Sequence, residues 1–314
     1  MERGASASLL FLEVINLSEQ ILCGDAIENL RTIDSGSIYT CITSPPYYGL
    51  RDYGAEGQIG LETSPSEYIE RLLQVFREVK RVLREDGTLW IVIGDCYYGH
   101  KTLLGNQNRP VDKTLKKKDL IGIPWRLAFA LQTDGWILRQ DIIWHKPNCM
   151  PESVRDRCTR SHEYLFLLSK SGRYYFDSDA IREPFTAPAR TGERRSYKAG
   201  SASSFDMKGG HIKQKGNFAG LPLNPLGRNK RDVWSVASGN SRGTHFAVFP
   251  EKLIEPCIQA GCPKGGAVLD PFAGSGTTGV TAKRLGRNFI GIDINPDYCV
   301  LASKRISDAA ETAK

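Results

Sequence analysis

No two of the eight cysteines (Cys23, Cys41, Cys96, Cys149, Cys158, Cys257, Cys262 and Cys299) form a C-x-x-C pair. The tight ligand pairs of a structural zinc site are therefore missing, and no metal is expected. Scattered through apolar, strand-like surroundings, these cysteines read as reduced thiols of an intracellular compartment. Long apolar runs are missing too. Leu9–Leu12 is too short for a signal core and is followed at once by Glu13. No stretch approaches the roughly 20 apolar residues that a membrane span needs. No internal repeat is visible. These absences exclude membrane proteins and zinc modules and leave a soluble, intracellular chain as the expectation.

What is present is ordinary in bulk and uneven in placement. The 314 residues are 40% hydrophobic and 25% charged, enough to build a sizeable core in one large domain or two modest ones. The formal net charge is +7, a weak hint of a polyanionic partner until its distribution is seen. Residues 185–232 are rich in Gly, Ser, Lys and Arg and have no hydrophobic period. They hold ten basic residues (Arg190, Arg194, Arg195, Lys198, Lys208, Lys213, Lys215, Arg228, Lys230 and Arg231) against Glu193, Asp206 and Asp232. The segment thus carries the whole excess charge, and the remainder of the chain is close to neutral. It reads either as a solvated insert or as an electrostatic footprint for a nucleic-acid backbone.

On either side of that insert the chain alternates strand-like and helix-like segments. IYTCITSPP is an apolar run ending in prolines, as a buried strand does. SPSEYIERLLQVFREVKRVLRED opens on a Ser cap with Glu three residues on and keeps apolar residues at three- and four-residue spacing, which predicts an amphipathic helix. TLWIVIGD, WILRQDIIWHKP and EYLFLLSKS read as strands, and IPWRLAFALQTDG as a helix. After the insert come a helix (FPEKLIEPCIQAG), a strand (GAVLD), a glycine loop, a helix (VTAKRLG), a strand (NFIGIDIN) and a last helix (PDYCVLASKRISDAA). This rhythm predicts an α/β fold whose sheet is covered by helices. The expected divisions are residues 1–184, the insert 185–232, and 233–314, with the first and last completing one domain.

Two segments carry chemistry. In GAVLDPFAGSGTTG a strand runs into glycines and then a helix start, so backbone amides can approach a ligand closely. Gly274, Gly276 and Gly279 match the dinucleotide spacing G-x-G-x-x-G, and Asp293 ends the next strand, where an acid can bind ribose hydroxyls. No Gly-Lys-Ser/Thr follows, so the loop is not a P-loop. Asp270 stands directly before the glycines. A carboxylate there suits a cationic or amine-bearing ligand better than a pyrophosphate, which favours S-adenosylmethionine over a nicotinamide cofactor. The second segment is Ser44-Pro45-Pro46-Tyr47. Two prolines remove two amide donors and stiffen the backbone, yet leave carbonyls as acceptors. The Ser44 side chain and the Pro45 carbonyl can accept the two protons of an exocyclic base amine, returning its delocalised lone pair to nitrogen. Tyr47 offers a face for an extruded base. By itself the tetrapeptide also fits a proline turn with an aromatic plug.

Together the two segments are far more specific than either. The sequence resembles the amino-DNA methyltransferases of bacteria and archaea, through CGDAIENL, TSPPYYGLRDYG, GTLWIVIGD, GWILRQDIIWHKPN, TRSHEYLFLLSKS, HFAVFPEKLIEPCIQAG, VLDPFAGSGTTG and NFIGIDIN. The catalytic segment precedes the cofactor loop, with the basic region between them, which resembles the circularly permuted beta arrangement. The resemblance implies a Rossmann-like methyltransferase fold, a mostly parallel sheet with helices on both faces and a target-recognition insert. It implies S-adenosylmethionine as cofactor and double-stranded DNA as substrate, and in restriction-modification systems a cognate endonuclease as partner. Asp270, Phe272, Gly274 and Gly276 would cradle the methionine part of the cofactor. Asp293 would bind its ribose, Asp25 matches the acid near its adenine, Phe249 and Pro250 fall beside it, and Pro271, Thr277 and Asn295 also belong to the cofactor site. Ser44 through Tyr47 would carry the chemistry, and Arg190, Arg194, Arg195, Lys198, Lys213, Lys215, Arg228 and Lys230 would meet the DNA. Members with Ser before Pro-Pro-Tyr tend to methylate cytosine N4, and those with Asp or Asn adenine N6. Ser, the weaker acceptor, points to cytosine. A nicotinamide-dependent dehydrogenase and an inactive DNA-binding module are the other readings.

Several residues invite other assignments. Pro256-Cys257 looks like the nucleophile of a cytosine C5 enzyme, but it precedes the glycine loop instead of following it. His145 and Lys146, or His162 and Glu163, look like acid–base pairs. His145 reads as a strand-end residue and Glu163 as an anchor for backbone or for Arg157, neither catalytic. Lys113–Lys118 reads as a solvated loop within reach of a phosphate.

Overall fold

The computed structural model describes residues 20–50, 52, 54–99, 114–185, 224–239 and 249–311. They fall into two compact units. One comprises the described residues up to Asp177 together with those from Arg231 onward, and the other is Ser178–Lys230.

The first unit is built on an eight-stranded sheet. Its strands are β1 (Gln20–Cys23), β2 (Ile38–Thr43), β3 (Leu83–Ile93), β4 (Ile137–His145), β5 (His162–Ser169), β6 (Val233–Ser235), β7 (Ala267–Asp270) and β8 (Asn288–Asp293). The order across the sheet is β1-β8-β7-β2-β3-β5-β4-β6. β5 runs antiparallel to both β3 and β4, and every other neighbouring pair is parallel. The helices are α1 (Ala26–Arg31), α2 (Pro65–Val82), α3 (Ile123–Thr133), α4 (Glu251–Gly261), α5 (Thr277–Arg284) and α6 (Pro296–Glu311). They form two layers: α1, α2 and α3 pack side by side on one face of the sheet, and α4, α5 and α6 on the other.

A strand covered on both faces is largely apolar, and its buried polar groups must be paired. β2 and β7 lie side by side in this way, with Thr40 bonded to Thr88 and Thr43 to Asp270. In β3 the alternation sends Leu89, Ile91 and Ile93 to the core under α1–α3, with Tyr68, Leu72, Phe76, Val79, Leu127 and Leu131. Trp90, also buried, packs on Phe176 with ring centroids 6.3 Å apart.

α2 starts as its sequence dictates. The Ser64 hydroxyl accepts from the Glu67 amide at 3.2 Å, and the Glu67 carboxylate reaches back to the Thr63 amide at 3.1 Å. It ends earlier than the amphipathic pattern predicts. Leu83, at ψ 140°, is already extended, fully buried and paired with Ile38. The pairing then jumps from Ile38–Leu83 to Thr40–Thr88, so the four residues from Arg84 to Gly87 form a bulge, not a last helical turn. Burial of Leu83 in the sheet outweighs the helical preference of Arg84 and Glu85. No helix among the described residues is long and apolar enough to cross a membrane.

In the second unit a short 3-10 turn (Asp179–Ile181) leads to Glu183, which pairs antiparallel with Arg228. Both backbone hydrogen bonds of that bridge are 2.9 Å. The Arg182 guanidinium donates to the Gly227 carbonyl and the Asn229 side chain.

Candidate active site

Parallel strands of a doubly wound sheet deliver their following loops to one edge, where ligands bind. Because β2 and β7 are neighbours, Ser44-Pro45-Pro46-Tyr47 and the glycine loop emerge side by side, although far apart in sequence. A direct bond ties the two strand ends: the buried Thr43 hydroxyl donates to the Asp270 carboxylate at 2.7 Å.

Around this junction lies a cavity of about 230 Å³. Ser44, Pro45, Pro46 and Tyr47 line it, and so do Asp25, Phe249, Pro271, Phe272, Gly274 and Asp293. Both candidate segments therefore face one space. Asp25 caps α1, its carboxylate accepting from the Ile27 and Glu28 amides at 2.8 and 3.0 Å. Asp293 clamps the glycine loop: one oxygen accepts from the Gly274 amide at 2.8 Å and the other from the Asn295 amide at 2.9 Å. Burial raises its pKa above the ordinary carboxylate value. The pairing of two carboxylates with apolar Phe249, Phe272 and Ile294 suits a cationic ligand that carries hydroxyls and a flat ring system.

Five expected cofactor residues do not line the cavity. Asp270 stands behind it, fully buried, with its carboxylate already accepting from Thr43, from Thr278 at 2.6 Å and from the Phe272 amide at 3.1 Å. The carboxylate is thus turned to the loop and to β2 and not to the cavity. Gly276, at φ 79°, caps α5, and a Cβ there would lie 2.9 Å from the Ala302 Cβ, so its role is close packing against α6. The Thr277 carbonyl accepts from the Thr281 hydroxyl inside α5. Asn295 turns its side chain to the Asp297 and Tyr298 amides at the start of α6. Pro250 caps α4 beside the lining residue Phe249.

The motif itself is braced from two sides. The Tyr68 hydroxyl, from α2, donates to the Pro46 carbonyl at 2.7 Å. The Tyr47 hydroxyl donates to the Glu163 carboxylate at 2.8 Å, and Lys146 pairs with that same carboxylate. Burial and the neighbouring Glu163 charge push the Tyr47 phenol well above its usual range, so it stays protonated. Sequence reasoning missed Lys146, Glu163 and Trp144 as lining residues. Glu163 does not anchor Arg157, which pairs instead with Glu152 at 2.5 Å. His145 sits at the end of β4, 3.1 Å from the Ser235 hydroxyl. Cys257 is buried within α4 and does not line the cavity.

Of the basic residues expected to meet DNA, Arg190, Arg194, Arg195, Lys198, Lys213 and Lys215 lie outside the described residues. Arg228 and Lys230 are described, and both pair with Glu183, at 3.3 and 3.8 Å. Lys118, in the other basic run, pairs with Asp156.

The model of the N6/N4 DNA methylase family matches residues 38–304, a span that takes in both cavity-forming segments. The chain belongs to that family. The methylase is 46% identical over 299 residues to the Type II methyltransferase M.SmaI of Serratia marcescens, covering 91% of this chain and 90% of that one. It is 45% identical to M.Cfr9I of Citrobacter freundii, covering 96% and 94%. Among solved structures, the cytosine-N4-specific PvuII DNA methyltransferase shares the fold at a TM-score of 0.62 and 18% identity, covering 94% of this chain and 92% of that one. A Thermus thermophilus protein solved with S-adenosyl-L-methionine gives a TM-score of 0.60 at 24% identity, covering 93% and 94%. The methylase thus carries its family's signature segments on the fold these proteins share.

Proposed function

We propose that this amino-DNA methyltransferase modifies cytosine N4 in double-stranded DNA, with S-adenosylmethionine as methyl donor. The observation that carries the reading is the single cavity shared by Ser44–Tyr47 and the Asp293-clamped glycine loop. S-adenosylmethionine supplies an electrophilic methyl group on a sulfonium. Asp25, Phe249, Phe272, Gly274 and Asp293 are the residues placed to hold it. The Ser44 hydroxyl and the Pro45 carbonyl would accept hydrogen bonds from the two N–H groups of the base amine and leave its lone pair toward the donor, which would depart as the neutral thioether while the surplus amine proton passed to solvent. The Pro46 carbonyl is engaged by Tyr68, which stiffens the turn that aims Pro45. Tyr47 stacks the extruded base. No covalent enzyme intermediate is needed, and alignment of amine and methyl group supplies much of the acceleration. The basic segment 185–232 meets DNA phosphates and positions the duplex.

The choice of cytosine rests on Ser44, a weaker acceptor than the Asp or Asn of adenine-specific members. The Type II names of its relatives support a restriction-modification setting, with a cognate endonuclease as partner. Incubation with unmodified DNA and tritiated S-adenosylmethionine should label the DNA, and nuclease digestion should yield N4-methylcytosine. Methyladenine as the sole product would overturn the base assignment, and an unlabelled product the whole reading. Sequencing the modified DNA then maps the target site. Ser44→Ala should lower the single-turnover rate about a hundredfold, as loss of a positioned proton acceptor does, with cofactor affinity nearly unchanged.

A further inference from the structure

We propose that Lys146 and Glu163 are positioning residues for methyl transfer: Lys146 holds the Glu163 carboxylate, Glu163 holds the Tyr47 hydroxyl, and the chain of three fixes the Tyr47 ring as a platform for the extruded base. This inference rests on the reading of Tyr47 given above and goes beyond it by naming what sets the ring's place.

The arrangement follows from the antiparallel pairing of β4 and β5. Trp144 lies directly opposite Glu163 in the register, so their side chains share one face of the sheet. Lys146, two residues beyond Trp144, returns to that face. Its backbone amide continues the pairing, donating to the Ser161 carbonyl at 2.7 Å. The Lys146 ammonium lies 4.2 Å from the centroid of the Trp144 ring, and the Trp144 indole is itself fixed by donating to the Val236 carbonyl at 2.8 Å. A cation and a carboxylate on the β4–β5 pair are thus held in sequence with the Tyr47 phenol from the loop after β2, all lining the cavity that Ser44 also lines.

Two features mark this as more than packing. The side chains of Lys146 and Glu163 are only 20% and 17% exposed, and a charged pair withdrawn from water is an expensive way to satisfy one phenol, for which any neutral carbonyl would serve. What a carboxylate adds is a shorter, stronger and more directional bond. In addition, Gly94 at the end of β3 leaves room for the ring. A Cβ there would lie 2.8 Å from Tyr47 Cε2 and 3.2 Å from the Glu163 Cδ. Tyr47 and Glu163 are therefore seated against backbone. The Pro46 carbonyl is held from α2 and the Tyr47 ring from the β4–β5 hairpin, so the motif is clamped at two points that belong to different layers.

The test uses the full chain, tritiated S-adenosylmethionine at saturation, and duplex DNA carrying the mapped target site under single-turnover conditions. Glu163→Ala and Lys146→Ala should each slow methyl transfer about tenfold, the loss expected when a reacting partner keeps its site but not its orientation. Affinity for S-adenosylmethionine, measured by calorimetry, should stay near that of the parent, while the unfolding temperature falls because each variant leaves one charge of the pair without its partner. Glu163→Gln, which keeps an acceptor for the phenol, should recover most of the rate. Tyr47→Phe, which also removes the hydrogen bond between its hydroxyl and Ser44, should be slowed at least as much, and adding Glu163→Ala to it should cost little more, because the Tyr47–Glu163 bond is already gone. A parental rate in Glu163→Ala would overturn the proposal. So would a full multiplicative loss in the double variant, since Glu163 would then act on something other than Tyr47. Should Glu163→Ala fail to fold, Gly94→Ala displaces the ring with both charges intact: an about tenfold loss supports the proposal and a parental rate overturns it. Absence of methyl transfer by the parent enzyme would instead remove the function on which the inference rests.

Discussion

Asp270→Asn sets two opposed effects against each other. Three donors converge on the Asp270 carboxylate, the hydroxyls of Thr43 and Thr278 and the Phe272 amide, and each favours the charged form. Complete burial disfavours it, and the nearby Asp293 charge adds to the penalty. Burial wins: the carboxyl is pushed from 3.8 to about 6. A rise of roughly two units corresponds to about 3 kcal/mol between the two protonation states. Because the folded value lies above the unfolded one, the contribution to stability is complete below about pH 4 and is lost as pH rises through 6. The neutral amide escapes that loss. Its oxygen replaces one acceptor, and its N–H can donate to the Thr278 oxygen, since a threonine hydroxyl accepts as well as donates. Urea unfolding of both proteins between pH 4.5 and 8 reads the effect as a difference, in which other titrating groups cancel. The variant should gain on the parent as pH rises and be at least as stable at pH 8. S-adenosylmethionine affinity should change less than about fivefold, because the carboxylate anchors the loop and does not face the ligand. A variant about 2 kcal/mol less stable at pH 8, with a pH-independent difference, would show that the hydrogen bonds dominate. A hundredfold loss of cofactor affinity with unchanged stability would place the carboxylate on the ligand and refute its role as loop anchor.

Two further substitutions test other parts of the structure. Gly276→Ala forces a side chain onto a residue at φ 79° and within 2.9 Å of the Ala302 Cβ; it should cost roughly 2–4 kcal/mol, from backbone strain and overpacking together, seen as a lowered urea midpoint, and an unchanged midpoint would contradict the contact between the glycine loop and α6. Cys257→Ser should retain methyl transfer, since the thiol is buried in α4 away from the cavity, and abolished labelling of DNA would revive a covalent mechanism through that residue.

Much of the fold was legible because its signals are local. The buried strands β2 and β7 announce themselves as short apolar runs that end in prolines or glycines, and Ser64 and Glu67 mark the start of α2 by a capping pattern contained in four residues. The end of α2 was not legible. Leu83 suits an amphipathic helix as well as a strand, and only its pairing with Ile38 decides between them. At the site, Ser44–Tyr47 and Gly274 are readable because proline and glycine restrict the backbone in ways that few other contexts require. Lys146 and Glu163 are not legible as partners of Tyr47, because no spacing rule links either of them to it.

The sequence by itself therefore determined most of the element order, though not β1, α1 or β6, together with the two chemistry-bearing segments and the concentration of positive charge in residues 185–232. These properties depend on neighbours along the chain, where hydrophobic period, backbone restriction and charge are already expressed. Tertiary structure alone decided which acidic residues face the cavity and which brace it. Asp270 and Asp293 both end strands that precede ligand loops, and nothing local separates them. The adjacency of β2 and β7 turns Asp270 inward to Thr43 and Thr278, while Asp293 reaches the Gly274 amide at the cavity wall. The same adjacency of strands, and the β4–β5 register that sets Glu163 opposite Trp144, are long-range pairings. They are fixed by the packing of the whole sheet, which no stretch of sequence contains.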